Sequence, residues 1–416
     1  MGERLQPIRG TRDLLPGDCR SHARVEEVCR RVAERYGYGE IRTPVLEVTQ
    51  VFSRTLGDAT DVVQKEMYTF DDRNGDSITL RPENTAGVAR ALLSNGLLDA
   101  MPLRLHYAGA MFRHERPQKG RYRQFHQTGV ELFGVAEPLG DVEVITLARD
   151  VLDELGLLQD TVLEINTLGD TASRQNHLRA LTAYFNDHRS RLSDISLERL
   201  ERNPLRILDS KEQRDRDLVA DAPVILDYLG DDARRFFDQV LDGLDTLSIA
   251  CRVNPRIVRG FDYYCHTSFE FVTGKLGAQG TVIGGGRYDG LMEQMGGPPV
   301  PGVGWASGIE RLALLAGEPP EPRRPIAVIG LGEPSTRQAL VMAHQLRGQG
   351  YRVDLAYRGN LRRRMQRAHK VGASHAVILG DTELARGVAL VRDLDSGEQH
   401  ECCLDRLGEG LPRPGA

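Results

Sequence analysis

Arginines dominate the residues of this sequence that could do chemistry. Arg113-His114-Glu115-Arg116-Pro117-Gln118-Lys119-Gly120-Arg121-Tyr122-Arg123 gathers five cations around one carboxylate, between strand-like segments at Leu105–Phe112 and Gln124–Phe133. On a hairpin the backbone donors are already used, which leaves guanidinium forks to meet phosphate oxygens in bidentate pairs. A solvated basic loop accounts for that run equally well when it is taken alone. Two further arginines stand beside glycines, Arg259 in Val258-Arg259-Gly260-Phe261-Asp262-Tyr263-Tyr264 and Arg311 in Gly308-Ile309-Glu310-Arg311. Glycine lets a backbone approach a ligand closely, although it also serves ordinary turns and tight sheet packing. Glu83 and Glu131 are of the type that holds an ammonium or an imidazole N–H, or that simply pairs with a nearby arginine. His114 and His126 flank the basic loop with no second ligand at metal spacing, and no Ser or Cys stands as a nucleophile. The residues alone point to a phosphoester or nucleotide handled electrostatically rather than covalently.

These residues need elements to position them. Val25, Val28, Cys29, Val32, Ala33 and Tyr36 recur at helical spacing behind Pro16-Gly17-Asp18, and Gly37 ends the run. Ile41–Leu46 reads as a strand interrupted by Pro44, hence an edge or interface strand. Asn74-Gly75 between Met67–Phe70 and Ser77–Leu80 predicts a hairpin, and the basic loop caps a second one. Residues 170–247 read as a charged helical insertion. Strand-like segments return at Ile249–Val253, Ser268–Val272, Gly284–Gly290 and Gly302–Gly308, and an apolar helix follows from Ile309. The order predicts an α+β domain whose antiparallel sheet is flanked by helices. Ala316–Pro325 is a proline-rich linker, because proline removes donors and fixes φ. Strand and helix periods then alternate through a small α/β domain with a parallel-rich sheet, so the expected units are 1–320 and 326–416, with 321–325 ending the linker.

With 416 residues the chain exceeds what one core usually organises. A net charge of −5 leaves any nucleic-acid contact to local basic patches rather than to the whole molecule's field. The six cysteines are scattered, none with zinc-finger spacing, and Cys402-Cys403 is a poor disulfide, so a reducing cytoplasm and no structural metal are expected. The first residues lack an export or lipidation pattern, and no apolar run is long enough to cross a membrane.

Longer stretches carry a resemblance. FRHERPQKGRYRQFHQTGVELFG from Phe112 to Gly134 resembles motif 2 of class II aminoacyl-tRNA synthetases in its histidine-specific form. VRGFDYY from Val258 and GGGRYDG from Gly284 resemble the two signature segments of the histidyl-tRNA synthetases, and GWASGIERL from Gly304 resembles motif 3. The likeness runs from IRGTRDLLPG at Ile8 through LRPENTAG at Leu80 to GNLRRRMQRAHKVGA at Gly359. Departures are slight: Cys265-His266-Thr267-Ser268 replaces other polar residues, and Ala306 takes the central glycine position of motif 3.

The resemblance implies a class II catalytic domain, a C-terminal anticodon-binding domain and a homodimer with Pro44 at the subunit contact. It implies activation of histidine by ATP with Mg²⁺, then transfer to histidine tRNA. By position, Arg113 falls to the ATP α-phosphate and Arg311 to the γ-phosphate, with Glu115 and Arg121 helping to hold the nucleotide. Arg259 falls between the histidine carboxylate and the α-phosphate. Glu83, Thr85 and Gln127 match the α-ammonium site, and Glu131, Tyr263, Tyr264 and Tyr288 the imidazole pocket. Arg116, Gln118 and Arg123 fall toward the tRNA acceptor end, and Arg362, Arg363, Arg364, Arg367 and Lys370 toward the anticodon. A solvated helix face is the plainer account of that last group. Two other readings stand beside this one: a synthetase-like regulatory subunit of ATP phosphoribosyltransferase, and an RNA-binding module with a decayed site. The C-terminal domain argues against the first, and the intact arginines against the second.

Overall fold

The computed structural model describes residues 4–57, 60, 62–117, 120–277 and 280–413. The chain divides into two compact units, 1–319 and 320–416.

The first unit is organised by an eight-stranded sheet. Its strands lie in the order Gly39–Glu40, Leu103–Phe112, Gln124–Phe133, Gly302–Gly308, Thr281–Arg287, Cys265–Val272, Val162–Thr167 and Cys251–Val253. The six inner strands pair antiparallel, and the short strand at each edge joins in parallel. The sheet is thus antiparallel where it carries the site and mixed only at its rims. The segment expected as one strand around Pro44 is instead an extended link between two short strands, Gly39–Glu40 and Leu46–Val48, in keeping with a residue that offers no ladder donor. Leu46–Val48 enters a separate three-stranded sheet with the hairpin Tyr68–Asp71 and Ser77–Leu80. At that hairpin's turn Gly75 has φ +88°, and Asp72 Oδ1 accepts the N–H groups of Asn74 and Asp76.

Helices cover one side of the main sheet. Helix Pro16–Arg35 starts with proline in its first turn and with the Asp18 carboxylate accepting the Leu15 N–H, and it buries Val25, Val28, Cys29, Val32 and Ala33. It shares one core with helix Pro138–Glu154 and with Val130 and Leu132 of strand Gln124–Phe133. The next residue along that strand, Phe133, belongs to a second core with Tyr107, Met111, Tyr263, Tyr264 and Tyr288. This is the two-residue alternation of a strand buried on both faces.

Residues 171–246 carry four α-helices, Thr171–Asp187, Asp194–Arg202, Gln213–Ala220 and Asp231–Thr246. The first three close over their own small core, including Leu181, Phe185, Leu200 and Leu218. The fourth departs from the expected insertion, because its Phe237, Val240 and Leu244 pack into the main core.

The second unit has a five-stranded sheet in the order Val353–Leu355, Ile326–Gly330, His375–Leu379, Val388–Asp393 and Gln399–Cys403. The first three are parallel and the last two antiparallel. Helices Glu333–Gly348 and Leu361–Lys370 complete it. No helix among the described residues is long and apolar enough to cross a membrane.

Candidate active site

A cleft of about 370 Å³ opens on the sheet, and ten of the residues singled out from the sequence line it: Glu83, Thr85, Arg113, Glu115, Arg121, Gln127, Arg259, Tyr263, Tyr264 and Arg311. Its floor follows from strand register. Gly129 pairs with Ala306, Ala306 with Gly284 and Gly284 with Glu270; one step along, Glu131 pairs with Gly304, Gly304 with Gly286 and Gly286 with Ser268. Small residues across the middle strands leave room above the sheet for long charged side chains. A Cβ on Gly284 would lie 3.0 Å from both terminal nitrogens of Arg259, and one on Gly304 would collide with the Glu131 carboxylate.

Each arginine reaches the cleft from a different element and is held there. Arg113, at the end of strand Leu103–Phe112, donates through Nε to the Pro82 carbonyl at 2.8 Å and lies over the Phe125 and Phe261 rings. Its Nη1 is 3.7 Å from Glu115, which also accepts from Arg121 at 2.9 Å. Arg259 pairs with Glu270 at 2.7 Å and lies 5.0 Å above the Tyr264 ring. Burial works to lower the Arg259 guanidinium, but Tyr264 and Glu270 more than offset it, so the group stays charged. Arg311, in helix Ile309–Ala316, donates to the Thr281 carbonyl at 2.6 Å. A tethered guanidinium loses less side-chain entropy when an anion arrives.

Beside the arginines lies a polar slot. Glu83 precedes helix Thr85–Ser94 and accepts the N–H groups of Thr85 and Ala86 at 2.7 and 2.9 Å, at the end where the helix dipole favours an anion. Burial nevertheless raises its carboxyl above the ordinary range. Glu131 and Tyr288 sit one layer behind the cleft wall. The Glu131 carboxyl accepts from Thr85 Oγ1 at 2.7 Å and from the Tyr288 hydroxyl, and burial pushes it up to about 8. Gln127 Oε1 and Arg259 Nε are buried with no hydrogen-bond partner among the described residues. Such orphans are costly unless a ligand or water completes them.

Several expected site residues lie elsewhere. Arg116 is exposed outside the cleft lining, and Arg123 turns back, with Nε 3.4 Å from the Glu115 carbonyl. Gln118 lies outside the described residues. In the second unit the basic helix is less available than its letters imply. Arg364 donates to the carbonyls of Gly359 and Gly330, and Arg367 makes a two-pronged pair with Asp354 at 2.7 and 2.9 Å. Arg362, Arg363 and Lys370 are exposed. Cys265 is no nucleophile, since burial pushes its thiol up to about 12.

The sequence reading missed Glu270, which holds Arg259, and the Arg287–Asp141 pair beneath the slot, both of whose side chains are fully buried. Arg287 also donates to the Val135 carbonyl at 2.9 Å. Register was the available signal for Glu270, which pairs with Gly284 on the adjacent strand. Nothing in the spacing links residues 141 and 287.

Comparison with known proteins meets this geometry. The histidyl-tRNA synthetase family model matches residues 10–312, and the anticodon binding domain model matches residues 326–413. The chain belongs to the histidyl-tRNA synthetase family. It is 57% identical over 410 residues to a histidine–tRNA ligase of Rhodospirillum rubrum, covering 98% of this chain and 99% of that protein. It is 56% identical to one from Gluconacetobacter diazotrophicus, covering 97% of each. The crystal structure of the apo Staphylococcus aureus histidyl-tRNA synthetase superposes with a TM-score of 0.82 at 33% identity, covering 98% of this chain and 99% of that one.

Proposed function

We propose that the chain is a histidine–tRNA ligase that joins histidine to ATP as histidyl-adenylate and then passes the acyl group to histidine tRNA. Family membership and full-length relatives bearing that name favour this over the regulatory-subunit reading. The observation that carries the chemistry is the meeting of Arg113, Arg259 and Arg311, from three distant segments, in one cleft beside the Glu83–Glu131 slot.

A histidine carboxylate oxygen attacks the α-phosphorus and pyrophosphate leaves. Arg113 and Arg259 stabilise the negative charge that grows there, and Arg311 holds the outer phosphates. Glu115 and Arg121 brace the nucleotide. Glu83, Thr85 and the unsatisfied Gln127 Oε1 suit an ammonium, which brings only donors. Glu131 and Tyr288, with the Tyr263 and Tyr264 rings, suit an imidazole, whose donor and acceptor can both be paired. A slot built that way rejects apolar isosteres by leaving its own polar groups unpaired. In the second step a terminal ribose hydroxyl attacks the acyl carbon and AMP leaves.

Mg²⁺ would enter with ATP and neutralise phosphate charge. Glu115 and Glu270 are cleft carboxylates of the type that hold it, although each also serves an arginine. Arg116, Gln118 and Arg123 are assigned to the acceptor end, and Arg362, Arg363 and Lys370 to the anticodon side, with Arg364 and Arg367 bracing their helix. The working enzyme is read as a cytoplasmic homodimer. Val45, Leu46, Val48 and Phe70, exposed beside Pro44, support a subunit contact there. ATP–pyrophosphate exchange run without tRNA, one amino acid at a time, tests the function: signal with histidine alone is expected, and no signal with histidine would refute it.

A further inference from the structure

His126 and Gln127 are neighbours on one strand and so face opposite ways. Gln127 lines the cleft. His126 faces the helical side, where helix Pro16–Arg35 brings His22 and helix Ile309–Ala316 brings Glu310. His126 Nδ1 is 2.9 Å from Glu310 Oε1, and the His22 and His126 rings meet edge to face with centroids 5.3 Å apart. One donor atom from each of the three residues lies within 4.8 Å of the other two. His22 is only 5% exposed, yet its Nε2 has no hydrogen-bond partner among the described residues. A buried, unpaired nitrogen costs free energy that a ligand can recover.

We propose that His22, His126 and Glu310 form a binding site for a divalent transition cation of the Zn²⁺ class, at the rim of the catalytic sheet, where Glu310 also borders the cleft. Two imidazoles and a carboxylate suit Zn²⁺ or Co²⁺ and disfavour Mg²⁺, which prefers an all-oxygen octahedron. Bonds of about 2.0–2.2 Å set tetrahedral donors about 3.4 Å apart, so the trio closes on an ion by a side-chain movement on the order of 1 Å. Both Glu310 oxygens lie 3.0 Å from the His126 N–H, which fixes the carboxylate's orientation. A hollow of about 270 Å³, bordered by Arg12, Asp18, His22, Tyr122 and Glu310, gives an entry path and space for water as a fourth ligand. The site does not depend on the substrate assigned to the cleft.

The test uses the full chain, free of affinity tags and stripped with a chelator, titrated with Co²⁺. The expected result is saturable binding of a single ion, with the visible absorption of four-coordinate Co²⁺, displaced by Zn²⁺ and indifferent to excess Mg²⁺. His22→Phe fills the space without a donor and should weaken binding at least about 100-fold, while histidine-dependent pyrophosphate exchange persists. His22→Gln is the substitute if the phenylalanine is not tolerated. Equal Co²⁺ binding by the parent and the His22 variant, or no saturable Co²⁺ binding by the parent, would overturn the proposal.

Discussion

The cations of the two units are set up differently. In the first unit Arg259 has a 14% exposed side chain held by Glu270 and the Tyr264 ring, and Arg287 is fully buried against Asp141. In the second unit Arg362, Arg363 and Lys370 stand in water on helix Leu361–Lys370. A guanidinium fixed in a cleft meets its anion without reorganisation and in a medium that screens little. An exposed one gives up rotamer freedom for each contact, and salt weakens that contact. The first arrangement suits charge that develops at one atom during a reaction, and the second suits a polyanion surface that needs only to be attracted and oriented.

The comparison breaks most sharply at the buried pair. Asp141→Ala takes from Arg287 its only fully buried carboxylate partner among the described residues, leaving it the part-exposed Asp289 and the Val135 and Glu137 carbonyls, and should cost about 3 kcal/mol in denaturant unfolding of the full chain. Next comes the cleft. Arg259→Ala should lower histidine-dependent pyrophosphate exchange about 10²- to 10³-fold with a circular dichroism spectrum like the parent's; near-normal exchange would remove Arg259 from the reaction.

Glu131 gives a smaller, pH-dependent effect. Burial moves it from an ordinary 4.5 to about 8, so the folded chain keeps a proton that the unfolded chain loses. Its contribution is therefore full below about pH 4.5 and is lost as pH rises through about 8. Glu131→Gln should lack that decline, gaining on the parent by up to about 1.4 kcal/mol per pH unit across the window. Parallel stability profiles for the two proteins would show that Glu131 is ionised throughout. The smallest effect belongs to the exposed helix. Arg363→Gln should raise the KM for tRNA less than about tenfold, reduce its salt dependence by roughly one phosphate contact, and leave pyrophosphate exchange untouched. Arg367→Gln should do less still, because Asp354 already occupies that guanidinium. An Arg363→Gln loss as large as that of Arg259→Ala would erase the distinction between the units.

Local patterns made much of this legible. Apolar spacing in the first helix, the Asn74-Gly75 turn and the alternating residues of Gln124–Phe133 each encode their element within a few positions, and the structure follows them. The family motifs likewise carried the chain's kinship on contiguous letters. Where the reading missed, the outcome rested on pairing, near or far along the chain, that single residues do not announce. The Pro44 segment splits between two sheets because its flanks find different partners, and strands Val388–Asp393 and Gln399–Cys403 went unread. Glu270 and Asp141 looked like any acidic residues until pairing set one beside Arg259 and the other beneath Arg287.

By itself the sequence determined which residues are charged, where the first helix and the hairpins lie, and to which family the motifs belong, since all of these depend on neighbours a few positions apart. Only the tertiary structure decided which guanidinium is tethered, which carboxyl is kept neutral and which histidine turns away from the cleft. Those outcomes depend on burial and on partners that packing brings together, 11 residues apart for Arg259 and Glu270 and 184 for His126 and Glu310, and solvent exclusion is a property of the packed molecule that no local stretch of chain contains.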